Sequence, residues 1–172
     1  MSQILTQKFF NRQTEKVARE LLGKFLVRRY RGKTTARMIT EVEVYDGFND
    51  KASHAARGPT KRNAPMFGPA GHWYIYFTYG MHWMLNIVTR EAGYPAAVLI
   101  RGVQGANGPA RLTRFFKIDK KLNGLPATKE SGLWVEDRRV RVQSAYIKKG
   151  PRMGVGYAGP YWARRRLRLR IV

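Results

Sequence analysis

Residues 71–86 read GHWYIYFTYGMHWMLN. From Trp73 to Tyr79 every residue is aromatic, Ile or Thr, the types that fill a pleated strand best. Gly80 supplies the turn, and His82 to Thr89 returns as the partner, so the stretch reads as a β-hairpin. Alternation puts Tyr74, Tyr76 and Thr78 on one face and Trp73, Ile75, Phe77 and Tyr79 on the other. A buried tyrosine needs a partner for its hydroxyl. Three tyrosines within six positions, 74, 76 and 79, are more than a core needs. Aromatic rings stack on nucleobases at about 1–3 kcal/mol each. Plain core packing stays open for Tyr74 and fits Tyr79 less well, because Tyr79 sits at a turn.

Working outward, antiparallel pairing recurs. QTEKVARELL (13–22) reads as a short helix with Val17, Leu21 and Leu22 on one face and Gly23 as its stop. Lys24 to Arg31 reads as a strand, Gly32-Lys33 as a turn, and Ala36 to Tyr45 as the partner strand. In that second strand Met38, Thr40, Val42 and Val44 point one way, and Ile39, Glu41, Glu43 and Tyr45 the other. Residues 46–72 are rich in Gly and Pro and hold one helical turn, DKASHAAR (50–57). Ala96 to Val103 is a further apolar strand, and Pro109 opens a helix running to about Ile118. Leu133–Val135, Val140–Tyr146 and Arg166–Val172 read as later strands, the last with an arginine face. That face is either solvated or set against phosphates. Strands outnumber helices and do not alternate regularly with them. The expected fold is therefore α+β: one domain over 1–172, with a mostly antiparallel sheet and a few surrounding helices.

Charge narrows the partners. Lys and Arg total 33 against 11 acids, a net charge of +22. The cations are spread along the chain, 15 in residues 1–100 and 18 in 101–172. A folded domain this basic repels itself unless a polyanion offsets the charge, and nucleic-acid phosphate is the expected one. No segment reads as a basic amphipathic helix, and no apolar run is long enough to span a membrane, so no membrane partner is expected. The opening MSQILTQKFFNRQTEK has no apolar signal core. The expected location is the cytoplasm, associated with the nucleoid, or the nucleus in a eukaryote. The absence of cysteine excludes disulfides, iron–sulfur clusters and thiol catalysis. His54, His72 and His82 match no metal-ligand spacing, so neither a metal nor a cofactor is expected.

The acids are unevenly placed. Four of the 11 fall within ten residues: Glu41, Glu43, Asp46 and Asp50. A carboxylate facing DNA is repelled by phosphate, so a basic protein keeps one there for a reason. Catalysis is one reason, since a carboxylate can deprotonate water or favour a developing cation. Ion pairing with nearby arginines is the other.

Several motifs follow one another in order: Glu43-Val44-Tyr45, Ser53-His54, RNAPMF (62–67), GHWYIYFTYGMHWMLN (71–86), VLIRG (98–102), GPARLTRFF (108–116) and MGVGYAGPYWARRRLRL (153–169). In these the chain resembles the alkyladenine (3-methyladenine) DNA glycosylase family of bacteria and vertebrates, from about Leu5 to Ile171. The resemblance implies a curved antiparallel sheet and a monofunctional enzyme. Such an enzyme flips alkylated or deaminated purines out of duplex DNA and hydrolyses the N-glycosidic bond in base excision repair. It implies Glu43 as the base that activates water. Arg101 would hold that water and the flipped nucleotide's backbone, and Met153 would contribute a backbone carbonyl. Tyr45, His54 and Tyr76 would be the walls around the base. Asn86 would screen out guanine through its exocyclic amine, and Tyr79 would be the wedge left in the DNA stack. No lysine matches a site position, so no Schiff-base lyase step is expected. A protein scanning DNA is expected to be a monomer. The alternative from composition is a non-enzymatic basic nucleic-acid-binding protein, which would have no use for an acid at Glu43.

Overall fold

Nearly all the apolar alternation becomes antiparallel ladder in the computed structural model, which describes residues 2–172. The chain runs β1 (Gln3–Ile4), α1 (Gln7–Phe10), α2 (Thr14–Leu21), β2 (Phe25–Tyr30), β3 (Lys33–Asp46), β4 (Trp73–Thr78), β5 (His82–Val88), β6 (Ala96–Val103), β7 (Ala106–Asn107), α3 (Pro109–Phe115), β8 (Leu133–Asp137), β9 (Ile147–Gly150), α4 (Gly159–Arg164) and β10 (Arg168–Ile171). Strand order is β1-β8-β2-β3-β6-β5-β4, with β10 pairing β3 and β9, and β7 pairing β6. Every pairing is antiparallel. The expected α+β class, with a mostly antiparallel sheet and few helices, is the one observed.

The long strand β3 organises the sheet. Its residues 33–38 pair with β2, residues 39–46 with β6, and 41–43 also with β10. Between Ile39 and Val42 the register shifts, as it does at a β-bulge. An extra residue inserted on one strand moves the following side chains by one place relative to strict alternation. The expected faces are corrected accordingly: Ile39 joins Val42 and Val44 in the main core, while Met38 is only partly buried. From α2, Val17 and Leu21 pack on this core, and from α3 so does Leu112, with Phe116 just beyond it. Helices α2 and α3 therefore cover one face of the sheet. Trp73 belongs to the same side and donates from Nε1 to the Leu133 carbonyl at 3.0 Å.

Other boundaries move for local reasons. Val140–Tyr146 is not a strand; a 3-10 turn occupies Ser144–Tyr146, and the ladder starts at Ile147, where β10 is opposite. The final strand shortens to Arg168–Ile171, and α3 ends at Phe115. Leu167, just before β10, and Leu169 within it are buried as alternation requires. One member of its arginine face, Arg168, meets Glu41 at 3.0 Å instead of facing solvent.

Candidate active site

The second face of the sheet carries the site. Across the ladders, Arg168 is opposite Glu43, Glu43 opposite Leu99, Leu99 opposite Asn86, and Asn86 opposite Tyr74. Directly opposed residues share a face, so one cross-strand row forms a floor. Two loops wall it. In residues 47–72, Ser53 Oγ accepts the Ala55 N–H to start the 3-10 turn His54–Arg57. Asn63 then donates from Nδ2 to the carbonyls of His54 and Gly58, both at 3.0 Å. Residues 151–158 close the other side. The cavity between the two loops has a volume of about 130 Å³. Its lining includes Glu43, Tyr45, His54, Tyr76, Tyr79, Asn86, Arg101 and Met153, so all eight residues singled out from the sequence meet in one place.

Glu43 is fully buried. Its Oε1 accepts the Met153 backbone N–H at 2.8 Å, and its Oε2 accepts the Tyr45 hydroxyl at 2.9 Å. Arg101 lies 3.6 Å from Oε1. Burial raises the Glu43 carboxyl above the ordinary carboxylate range; Arg101, the Met153 N–H, Tyr45 and Arg152 oppose that rise. Met153 thus reaches Glu43 through its N–H, a contact separate from the carbonyl-to-water contact that the resemblance implies. Tyr45 is held neutral by burial and by the adjacent Glu43.

The aromatic wall is a hydrogen-bonded set. His54 Nδ1 and the Tyr74 hydroxyl share a bond at 3.0 Å, and the His54 ring is 4.6 Å from that of Tyr76. Burial, with the Arg62 cation second, lowers the His54 pKa, so the imidazole is neutral at physiological pH. Burial pushes the Tyr74 hydroxyl up to about 12 and raises that of Tyr76 as well. Both phenols therefore stay neutral. Asn86 donates from Nδ2 to the Tyr74 carbonyl at 3.0 Å.

Tyr79 departs from the alternation of its strand. It follows the last residue of β4 and takes a left-handed backbone, φ +52°. A non-glycine residue there costs about 1–3 kcal/mol and persists where the surroundings demand it. Tyr79 therefore does not continue the Trp73/Ile75 face but reaches the cavity mouth, 77% exposed. Met81, Met153 and Tyr157 are also exposed. Tyr157 lines the cavity beside Met153, its hydroxyl donating to the Ala52 carbonyl at 2.8 Å.

The acid cluster divides. Glu41 pairs with Arg168 and, at 3.5 Å, with Arg101. Asp46 accepts the Thr14 hydroxyl at 3.0 Å and lies 3.9 Å from Arg90. Asp50 is buried against Arg152. Ion pairing thus reaches all four, Glu43 through Arg101, and Glu43 alone of them lines the cavity. Arg152 was missed from the sequence. It is 3% exposed, forks onto both Asp50 oxygens, donates to the Val44 carbonyl at 2.9 Å and lies 4.7 Å from the centre of the Tyr45 ring. The crowding of acids around Asp50 was the only available hint of it. Among the described residues no three His, Asp or Glu converge as a metal-binding group would, and no helix is long and apolar enough to cross a membrane.

Residues 8–171 match the family model described as methylpurine-DNA glycosylase. Among curated proteins, similar relatives carry the name "Putative 3-methyladenine DNA glycosylase". That of Methanocella arvoryzae is 42% identical over 91% of this chain and 86% of its own. One from Anaeromyxobacter dehalogenans is 43% identical, covering 93% and 80%. That of Sodalis glossinidius is 43% identical, covering 88% and 89%. With a matched model spanning residues 8–171 and relatives 42–43% identical over most of both chains, the chain belongs to the methylpurine-DNA glycosylase family.

Proposed function

We propose that this DNA glycosylase takes an alkylated or deaminated purine, flipped out of duplex DNA, into the Glu43 cavity and hydrolyses its N-glycosidic bond. The observation that carries this is a fully buried carboxylate held by the Met153 N–H, the Tyr45 hydroxyl and Arg101 among aromatic rings. Water attacks the sugar C1′ while Glu43 takes its proton. The C1′–N bond electrons leave with the base, and a C1′ hydroxyl remains on the abasic sugar. A carboxylate beside the sugar also favours the oxocarbenium-like transition state. Arg101 holds the water and the nucleotide's backbone, and the Met153 peptide fixes the carboxylate. Tyr45, His54 and Tyr76 sandwich the base; an alkylated purine, electron-poor or cationic, is attracted to their rings. A damaged base also flips more readily because its pairing and stacking are weaker. Asn86, tethered to Tyr74, discriminates against the guanine amine, and Tyr79 fills the gap left in the stack. No lysine lines the cavity, which supports a monofunctional enzyme without a Schiff-base step. In this reading residues 1–172 act as one domain and one monomer on double-stranded DNA, in the cytoplasm at the nucleoid.

The direct test is incubation with duplex DNA bearing one hypoxanthine or methylated purine. Free base is expected; tight binding without release would make the protein a non-enzymatic DNA binder. Activity is expected to survive saturating EDTA, whereas affinity should fall with salt at a log–log slope near −0.9 per phosphate neutralised. Activity lost to EDTA and restored by zinc or magnesium would overturn the cofactor-free mechanism.

Tyr79→Ala is expected to leave folding and general DNA binding intact, since the side chain is mostly in solvent. Excision from well-paired duplex should fall about ten-fold or more, the worth of one stacking contact. The loss should shrink when the damaged base faces a mismatch, where flipping costs less. Wild-type excision from paired duplex by this variant would remove Tyr79 from the site.

A further inference from the structure

A basic groove begins at the tip of the β4–β5 hairpin, beside Tyr79 but outside the cavity. It consists of two joined hollows, of about 330 Å³ and 560 Å³. Met81, His82, Trp83 and Arg114 line the first and Lys33, Arg37 and Phe115 the second, while Tyr30 and Lys117 line both. The groove therefore runs from the hairpin, past α3, to the β2–β3 turn. Asp119 is the one acid in its lining, and its carboxylate is turned to the Lys121 N–H at 2.8 Å.

Two further observations bear on what this groove can hold. Arg101, Arg152 and Arg168 are tied to acids, but among the described residues Lys33, Arg37, Arg114 and Lys117 pair with none. All four are exposed. Its cations are also held in place by half-exposed rings: Arg37 lies 5.1 Å from the centre of Phe115, and Arg28, which lines the second hollow, lies 5.4 Å from that of Tyr30. A guanidinium steadied on a ring loses less side-chain freedom when it meets an anion. With guanidinium groups already over both rings, the groove is built to follow a phosphate backbone and not to stack bases.

We infer that this groove is a second DNA contact, which grips the phosphates of the lesion-bearing duplex where it continues beyond the Tyr79 hairpin. The inference rests on the glycosylase reading above and adds a lesion-independent hold on the flank. Its signature is an affinity that grows with duplex length.

The test uses the full chain and duplexes carrying a tetrahydrofuran abasic analogue, one of about one helical turn and one of about two and a half turns. The variant is Arg37→Glu, Arg114→Glu and Lys117→Glu together. The control is Lys8→Glu, Lys16→Glu and Arg139→Glu, which changes the charge equally with exposed residues outside the groove. Wild type is expected to bind the long duplex at least ten-fold more tightly than the short one. The groove variant should lose that advantage, with a log–log salt slope on the long duplex shallower by about 2.7, three contacts at 0.9 each. It should keep wild-type base release at saturating hypoxanthine duplex, while the control keeps the length advantage. A groove variant that retains the length advantage overturns the inference, as does a control that loses it equally. Absence of base release in wild type would instead strike the glycosylase reading and leave the length comparison valid.

Discussion

Glu43→Gln is expected to lower single-turnover base release by about 10² to 10⁴, the usual worth of a general base, while damaged-DNA affinity stays near wild type. Binding draws on phosphate contacts and stacking, which the change leaves alone. Hydrogen bonding is conserved too: a glutamine oxygen can accept the Met153 N–H, and its amide can donate to the Tyr45 hydroxyl. Arg101 keeps Glu41 at 3.5 Å. The folded-state pKa of Glu43 is raised, chiefly by burial. The favourable contribution of its protonated form is thus fully present below the unfolded-state pKa and is lost as pH rises through the folded value. At neutral pH the buried charge is a cost, and Gln removes it. The variant should therefore melt at or above the wild-type temperature. The base must be ionised to act, so wild-type activity should fall with decreasing pH along a limb above the ordinary carboxylate range. Turnover within a few-fold of wild type, or a melting temperature well below it, would contradict this account.

The fold was legible where local pattern and tertiary packing agree. The β4–β5 hairpin carries its own turn glycine and an unbroken aromatic alternation, and both strands lie within a residue or two of their expected positions. Glu43 and Tyr45 were read onto one face, and they do share it. The bulge between Ile39 and Val42 had only a faint mark, the adjacent polar residues Thr40 and Glu41 that interrupt the alternation, and the register with β6 is what reveals the inserted residue. Val140 and Val142 mimic a strand, but the segment crosses over Gly23 and finds no ladder partner until Ile147 meets β10. For the site, long ordered motifs put all eight residues together, although nothing local says that Tyr79 turns into the left-handed region. Arg152 is one of 33 cations, and its partner Asp50 is 102 residues away. No periodicity or spacing marks such a pair before the chain is folded.

Arg152→Ala is expected to be the most destabilising single change around the site. The side chain joins the 151–158 loop to β3 through the Val44 carbonyl and to the 47–72 loop through Asp50, and the next residue supplies the N–H that holds Glu43. Without it Asp50, 1% exposed, keeps only backbone donors: the Ala52 N–H at 3.1 Å and the Asp46 N–H at 3.4 Å. Removing one partner of a buried pair costs about 3–5 kcal/mol. At about 2–4 °C per kcal/mol for a domain of this size, the melting temperature should drop by roughly 6–20 °C. Asp50→Ala combined with Arg152→Ala leaves no orphan charge, so the double variant should lose less than the sum of the singles by about 0.5–3 kcal/mol. Base release carries the second readout. Arg152 is among the groups that hold the Glu43 pKa down. Its loss should move the acidic limb of the pH–rate profile upward, measured below the lowered melting temperature. An additive double variant together with an unmoved acidic limb would reduce Arg152 to ordinary packing. Non-additivity with a shifted limb would make it the residue through which the loop sets both the position and the ionisation of Glu43.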